Sequence, residues 1–294
     1  MQKRNVLNSP RLTELKKRRR KAVLNKILLS LLGLVIVFFL FAYLSRLKNL
    51  NIAEIQVMGN EIVDTGEIQA TVEGEVAGKY LWLFPKGNIL IYPQDSIKKT
   101  LLDKFKRIKK IDLSIEDNKT LIINVTERVA KYTWCGTEIP GVGIPQGSPT
   151  PESPTEKCFF LDEDGYIFDE APYFSGEVYF KFFGQPVSVH NYFPQQNFNQ
   201  LVSFIDMLVE MKLKPVSLYI TLNNDVEIFL SKGNTAKTEP KIIFKLDADL
   251  ENIGSNLKTA LNTEPLKSDM NKKYSMLEYI DLRFGNKVYN KFSK

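Results

Sequence analysis

Ile27 to Leu44, "ILLSLLGLVIVFFLFAYL", is 18 residues without a charge, bounded by Lys26 and Arg46. A run of that length just reaches the ~17–25 residues that a helix needs to cross a hydrocarbon core, so a transmembrane helix is expected over 27–45. Tyr43 stands near one end, where amphipathic rings favour the membrane interface. A cleaved signal peptide is the competing reading. Its apolar stretch is usually ~7–15 residues and ends in a small-x-small site, which "FLFAYLSRL" lacks.

Charge is divided unevenly around this run. Residues 1–26 hold ten of the 40 Lys/Arg and one of the 34 Asp/Glu, Glu14, so the 30 bases and 33 acids that remain leave the rest at −3. A basic arm ahead of an apolar helix is the positive-inside pattern. It predicts a cytoplasmic tail over 1–26 and everything after residue 45 on the other side. That topology accounts for the arm, and the slightly acidic remainder has no overall pull toward nucleic acid. The 294 residues leave room for about two domains beyond the anchor.

The first of these is read over 50–128. "NIAEIQVMGN" alternates Ile52, Ile55 and Val57 with polar residues, a strand closed by Gly59-Asn60. Asp64, with Glu67 three residues on, starts a helix of about Thr65–Val72. "YLWLFPKGNILIYPQ" reads as an apolar loop or short extended piece. A second helix begins near Pro93, with Ile97, Leu101, Leu102, Phe105 and Ile108 as its stripe. Two strands then turn at Glu116–Lys119, with Ile111, Leu113 and Ile115 facing Leu121, Ile123 and Val125. The order is β-α-α-β-β.

The second domain is read over 129–291. Tyr132–Cys135 and Cys158–Leu161 are strand ends, separated by 22 residues (136–157) rich in Pro, Gly, Ser and Thr, a composition that does not pack a core. A hairpin with a long insertion, stapled by Cys135–Cys158, competes with two unpaired buried thiols. Asp164-Gly165 in "DEDG" is a hairpin turn, because the spacing and closing Glu of a calcium loop are missing. An amphipathic helix is expected over about Gln195–Lys212, on Phe198, Leu201, Val202, Ile205, Leu208 and Val209. Three strands follow, "VSLYITL", "DVEIFLS" and "KIIFKL". A last helix uses Leu250, Ile253, Leu257 and Leu261, with Asp247 and Asp249 near its N-terminus. The expected fold class is therefore α+β, with a transmembrane helix, a β-α-α-β-β domain, and a mixed or antiparallel β domain with two flanking helices.

No catalytic set is visible, so the chain is not expected to be an enzyme, and no metal or cofactor is expected. Its single histidine, His190, cannot build a His-based metal site. "IGSN" around Ser255 lacks the second glycine of a nucleophile elbow, and the cysteines lack C-x-x-C spacing. Asp162/Asp164 and Asp247/Asp249 have turn and capping explanations. A binding protein, with no small-molecule substrate, is the reading that remains.

The patterned end "YIDLRFGNKVYNK", Tyr279–Lys291, is the candidate surface. Ile280, Leu282 and Phe284 alternate with Asp281 and Arg283. A strand near a terminus often forms a sheet edge, which invites another chain. Phe284 sharing the core face, and Gly285-Asn286 turning "KVYN" back over the edge, are the alternatives.

These pieces, in this order behind one anchor, resemble the bacterial cell division family FtsQ/DivIB. The resemblance runs over nearly the whole chain, on "IAEIQVMGNEIV" (52–63), "TLIINVTER" (120–128), "FFLDEDGYIF" (159–168) and "YIDLRFGNKVY" (279–289). It departs from the family where "ERVAKYTW" lacks the proline that often follows Glu-Arg, and in the 136–157 insertion. The resemblance implies that 50–128 is a POTRA-like domain and 129–291 an FtsQ-type β domain. It further implies a non-enzymatic divisome scaffold in the cytoplasmic membrane at the septum, with FtsB/DivIC-like and FtsL-like partners. In the family the last strand of the β domain offers its edge to a partner. Carried onto this chain, the partner-binding residues are Arg283, Phe284, Gly285, Asn286, Lys287, Val288 and Tyr289. Arg283 would meet a partner carboxylate, and Phe284 and Tyr289 would be apolar anchors. Two other readings are an envelope-assembly or polypeptide-export protein bearing a POTRA domain, and a membrane-anchored envelope enzyme.

Overall fold

Lys, Arg and Leu are good helix formers, and no Pro or Gly interrupts 11–32, so the helix does not wait for the apolar run. It spans Pro10–Leu44 (α1), so the helix begins well ahead of the apolar run expected to cross the membrane. Within it, Lys16–Leu44 is the one span among the described residues long and apolar enough to cross a membrane. The computed structural model describes residues 10–136, 157–172, 174, 178–186, 188–193, 195–231 and 239–293. Most of the expected insertion, 137–156, and the first nine residues of the tail lie outside them. The chain divides into two compact units, Met1–Glu127 and Arg128–Lys294.

In the first unit, α1 is followed by β1 (Glu54–Met58), α2 (Thr65–Val76), a short hairpin of β2 (Lys79–Tyr80) and β3 (Phe84–Pro85), α3 (Gln94–Lys104), β4 (Ile108–Glu116) and β5 (Thr120–Glu127). Asp64 caps α2 by accepting from the Glu67 N–H at 2.9 Å, and the helix runs a turn beyond the expected Val72. The β4–β5 hairpin has the expected register, with Ile111 opposite Val125, Leu113 opposite Ile123 and Ile115 opposite Leu121. β5 is the middle strand, because β1 joins its other side in parallel, giving the order β1-β5-β4. Ile68 and Val72 of α2 and Ile97 and Leu101 of α3 cover one face, against Leu121, Ile123 and Val125. Two members of the α3 stripe fall elsewhere. Leu102 is exposed, and Ile108 opens β4 because the helix ends at Lys104.

Glu127 closes this unit in a way that no local pattern announces. Its carboxylate accepts from the N–H groups of Glu61 (2.9 Å), Ile62 (3.1 Å) and Val63 (2.9 Å), holding the loop after β1 from 66 to 64 residues away.

The second unit contains β6 (Tyr132–Trp134), β7 (Cys158–Leu161), β8 (Ile167–Ala171), β9 (Phe180–Phe183), α4 (Gln195–Glu210), β10 (Pro215–Ile220), β11 (Asp225–Leu230), β12 (Lys241–Lys245), α5 (Leu250–Leu261), α6 (Leu266–Lys273), β13 (Leu277–Phe284) and β14 (Lys287–Phe292). One nine-stranded sheet carries all the strands among the described residues, in the order β14-β13-β12-β11-β10-β9-β6-β7-β8. It is mixed, with β6, β9 and β10 joined in parallel and β12 parallel to β13. Among the described residues three helices rather than two accompany it, since α6 is a short polar helix without an apolar stripe to reveal it.

Phe198, Leu201, Phe204, Ile205 and Leu208 of α4 and Ile253 and Leu257 of α5 are buried against the inner residues of the sheet. Phe204 joins the buried stripe, whereas Val209, expected in it, is 56% exposed. Gly254 explains "IGSN". It is buried in α5 beneath the side chains of Met207 and Phe204 of α4, and Ser255 is exposed. β6 and β7 pair antiparallel, and Cys135 and Cys158 form a disulfide at the end of the pair from which the insertion leaves.

Candidate partner-binding edge

The terminal hairpin turns on Gly285-Asn286. Gly285 has φ +64 and Asn286 does not take a positive φ, the pattern of a II′ turn, whose twist suits two antiparallel strands. The strand 277–284 is therefore not the open edge. β14 covers it, and among the described residues no strand pairs with the outer side of β14. Of the expected binding residues, Gly285 and Asn286 form the turn, while Lys287, Val288 and Tyr289 lie on the edge strand itself. Lys287, Tyr289, Asn290 and Lys291 are exposed, whereas Val288 and Phe292 pack partly against the core.

Phe284 does not continue the inward alternation of Ile280 and Leu282. The pairing passes from Asp281 opposite Tyr289 to Phe284 opposite Lys287, so β13 carries one residue more than β14. That bulge breaks the period of two and turns Phe284 outward, 56% exposed. Its ring meets Tyr289, 47% exposed, edge to face at 5.3 Å. The two rings make a rigid apolar pair beside the open edge, suited to anchor an extended segment.

Arg283 does not hold its guanidinium out for a partner. Asp281 accepts from its backbone N–H (3.0 Å), its Nε (2.9 Å) and its Nη2 (2.6 Å). Asp225 accepts from Nη1 at 2.9 Å and stands 2.6 Å from Lys245 Nζ. Asp281 is 5% exposed, so a carboxylate there needs these bonds. Burial pushes its carboxyl group up, but the bonds from Arg283 outweigh burial and hold it below the ordinary aspartate value. The Lys245 bond does the same for Asp225 against its own burial, with Arg283 adding to it. Both acids in turn raise Arg283. The cluster ties β11, β12 and β13 together behind the exposed rings. Its long-range members, Asp225 and Lys245, were not picked out from sequence. Asp281, two residues before Arg283, was the local signal.

The other candidates are absorbed by structure. Asp162 accepts from the N–H groups of Asp164 and Tyr166, both at 2.9 Å, and pairs with Arg128, whose guanidinium lies 3.7 Å from the Tyr166 ring centre. His190 Nδ1 lies 3.1 Å from the Ile167 carbonyl and its ring stacks on Tyr166. Asp249 caps α5 through the Asn252 N–H. Among the described residues no group of three His, Cys, Asp or Glu is placed to hold a metal. A depression of about 270 Å³ lies between the start of α5 and the hairpin turn, and its two cations, Lys245 and Arg283, are already paired. No family model matches the chain. No curated protein matches it either.

Proposed function

We propose that this chain is a non-enzymatic, single-pass scaffold of the bacterial divisome, of the FtsQ/DivIB kind, and that β14 is its partner-binding strand. The observation that carries the proposal is the terminal hairpin: an unpaired strand edge with the Phe284–Tyr289 pair beside it, at the end of a nine-stranded sheet. Such an edge can take an extended partner segment as a further strand, backbone bonds giving affinity and the rings giving selectivity. The partners would be FtsB/DivIC-like and FtsL-like membrane proteins. A three-stranded sheet under two helices supports reading the first unit as POTRA-like, and α1 supports the anchor. The basic residues ahead of the apolar run favour the N-terminus in the cytoplasm and both units outside it.

A fluorescent fusion and depletion test this reading. Mid-cell signal in dividing cells and filamentation on depletion are expected; uniform membrane signal with normal septation would contradict it. At the edge, Phe284→Lys should weaken capture of the FtsB/DivIC-like partner more than tenfold, with the unfolding midpoint unchanged because the ring is already outside the core.

A further inference from the structure

The β2–β3 hairpin of the first unit has a turn that its residues do not favour. Leu81 and Trp82 both sit in the left-handed region, at φ +46 and +61. A position of that kind usually takes Gly, Asn or Asp, and a bulky residue there is strained. The conformation holds these two apolar side chains in the open, Leu81 at 75% and Trp82 at 90% exposure. Leu90 and Ile91, just after the hairpin, are exposed as well. Strain that displays a Trp to solvent asks for an occupant.

The contacts of the hairpin with α1 say which. Phe84 meets Phe38 edge to face at 5.4 Å. Arg46 Nε donates to the Leu83 carbonyl at 3.2 Å, and the buried Asn88 donates to the Ser45 carbonyl at 2.9 Å. Ala42, one turn from Phe38 on the same face, is the one buried residue among the described side chains of α1. Phe38 lies six residues before Leu44, or about 9 Å deeper along the helix at 1.5 Å per residue. The uncharged run of 18 residues is about 27 Å long against a core of about 30 Å, so none of it can be spared outside. A hairpin touching Phe38 therefore reaches the level of the lipid.

We infer that the β2–β3 hairpin is a second membrane contact, inserting Leu81 and Trp82 into the interfacial layer of the leaflet at the Leu44 end of α1. Trp is favoured at that depth, where its ring is apolar and its N–H can stay hydrated. Lys79 and Lys86 flank the tip, and their stems let the ammonium groups reach the lipid phosphates. The tip is compatible with that layer because the Leu83 N–H donates to the Tyr80 carbonyl and the Lys86 N–H to the Gly78 carbonyl.

This inference rests on α1 crossing the membrane, and the test separates the two. The full chain is placed in phosphatidylcholine–phosphatidylglycerol vesicles, with or without bromines on the acyl chains near the headgroup. The chain has two tryptophans, so subtracting the emission of Trp82→Phe isolates Trp82 from Trp134. The expected result is a blue-shifted Trp82 component that bromolipid quenches about twofold and aqueous iodide leaves unchanged. Iodide quenching without bromine quenching would put the tip in water and overturn the inference. Protection from both quenchers would put it under protein and overturn it equally. Alkaline washing of the same vesicles reads α1 alone. Retention with an unquenched Trp82 removes only the hairpin contact, whereas release of the chain removes the anchor.

Discussion

The β13–β14 hairpin turns on Gly285-Asn286 and the β2–β3 hairpin on Leu81-Trp82, and both show large apolar side chains to the outside. They differ in what stands behind those side chains. Behind Phe284 and Tyr289 is a long strand with an unpaired backbone edge, buttressed by Leu277, Ile280 and Leu282 in the core. Behind Leu81 and Trp82 are two strands of two residues each, leaning on an apolar helix. An open edge has hydrogen bonds to offer, which a peptide can take up and a lipid chain cannot. A two-residue hairpin offers side chains and little else, which suits a fluid. Exposed apolar surface alone thus does not name a partner; the backbone beside it does.

The largest effect that would break this comparison is at Arg283. If the terminal hairpin is held by its charge cluster, Arg283→Met leaves Asp281 buried without its main partner. A fully buried broken pair costs ~3–5 kcal/mol; here about 2 kcal/mol is expected, because Arg283 is partly exposed and Lys245 still serves Asp225. Chemical denaturation of the full chain in micelles measures it. The pH dependence follows in sign. Asp281 and Asp225 are held below the ordinary aspartate value, so their contribution is present above that value and lost as pH falls through the depressed one. Below about pH 4 the wild type should lose stability with falling pH, and Arg283→Met should show a shallower loss.

A smaller and opposite pair of effects sharpens the contrast between the turns. Gly285→Ala should cost about 1 kcal/mol through φ alone, since a Cβ there would meet nothing within 4 Å. Leu81→Gly should stabilise the first unit in micelles by about 1 kcal/mol through relief of the same kind of strain. Amide exchange around each turn measures both. Equal signs at the two positions would mean that Leu81 is not held at a cost.

Local patterns were enough for the elements whose causes are local. The β4–β5 register followed from alternation, and Asp64 and Asp249 announced their helices because an N-cap acts within three residues. The pairings that build the large sheet were not legible. β9 sits between β6 and β10 in parallel, and β12 beside β13, through crossovers that no short-range signal encodes. At the candidate edge, the alternation of Ile280 and Leu282 was readable, but the bulge that ejects Phe284 was not, since a bulge leaves no mark on composition. Arg283 looked like a free cation because its second acid, Asp225, is 58 residues away. The strain at Leu81 and Trp82 is a backbone property and invisible in an apolar string.

The proposed scaffold role depends on β14 being the working edge. Its most direct test is a photo-crosslinking residue at Tyr289 of the full chain in dividing cells, with a control at Glu170 on β8, at the opposite edge of the sheet. An adduct is expected at 289, and none at 170, with an extended segment of the FtsB/DivIC-like partner, identified by mass spectrometry. The same adduct at both positions, or none at 289 in cells that divide normally, would contradict it.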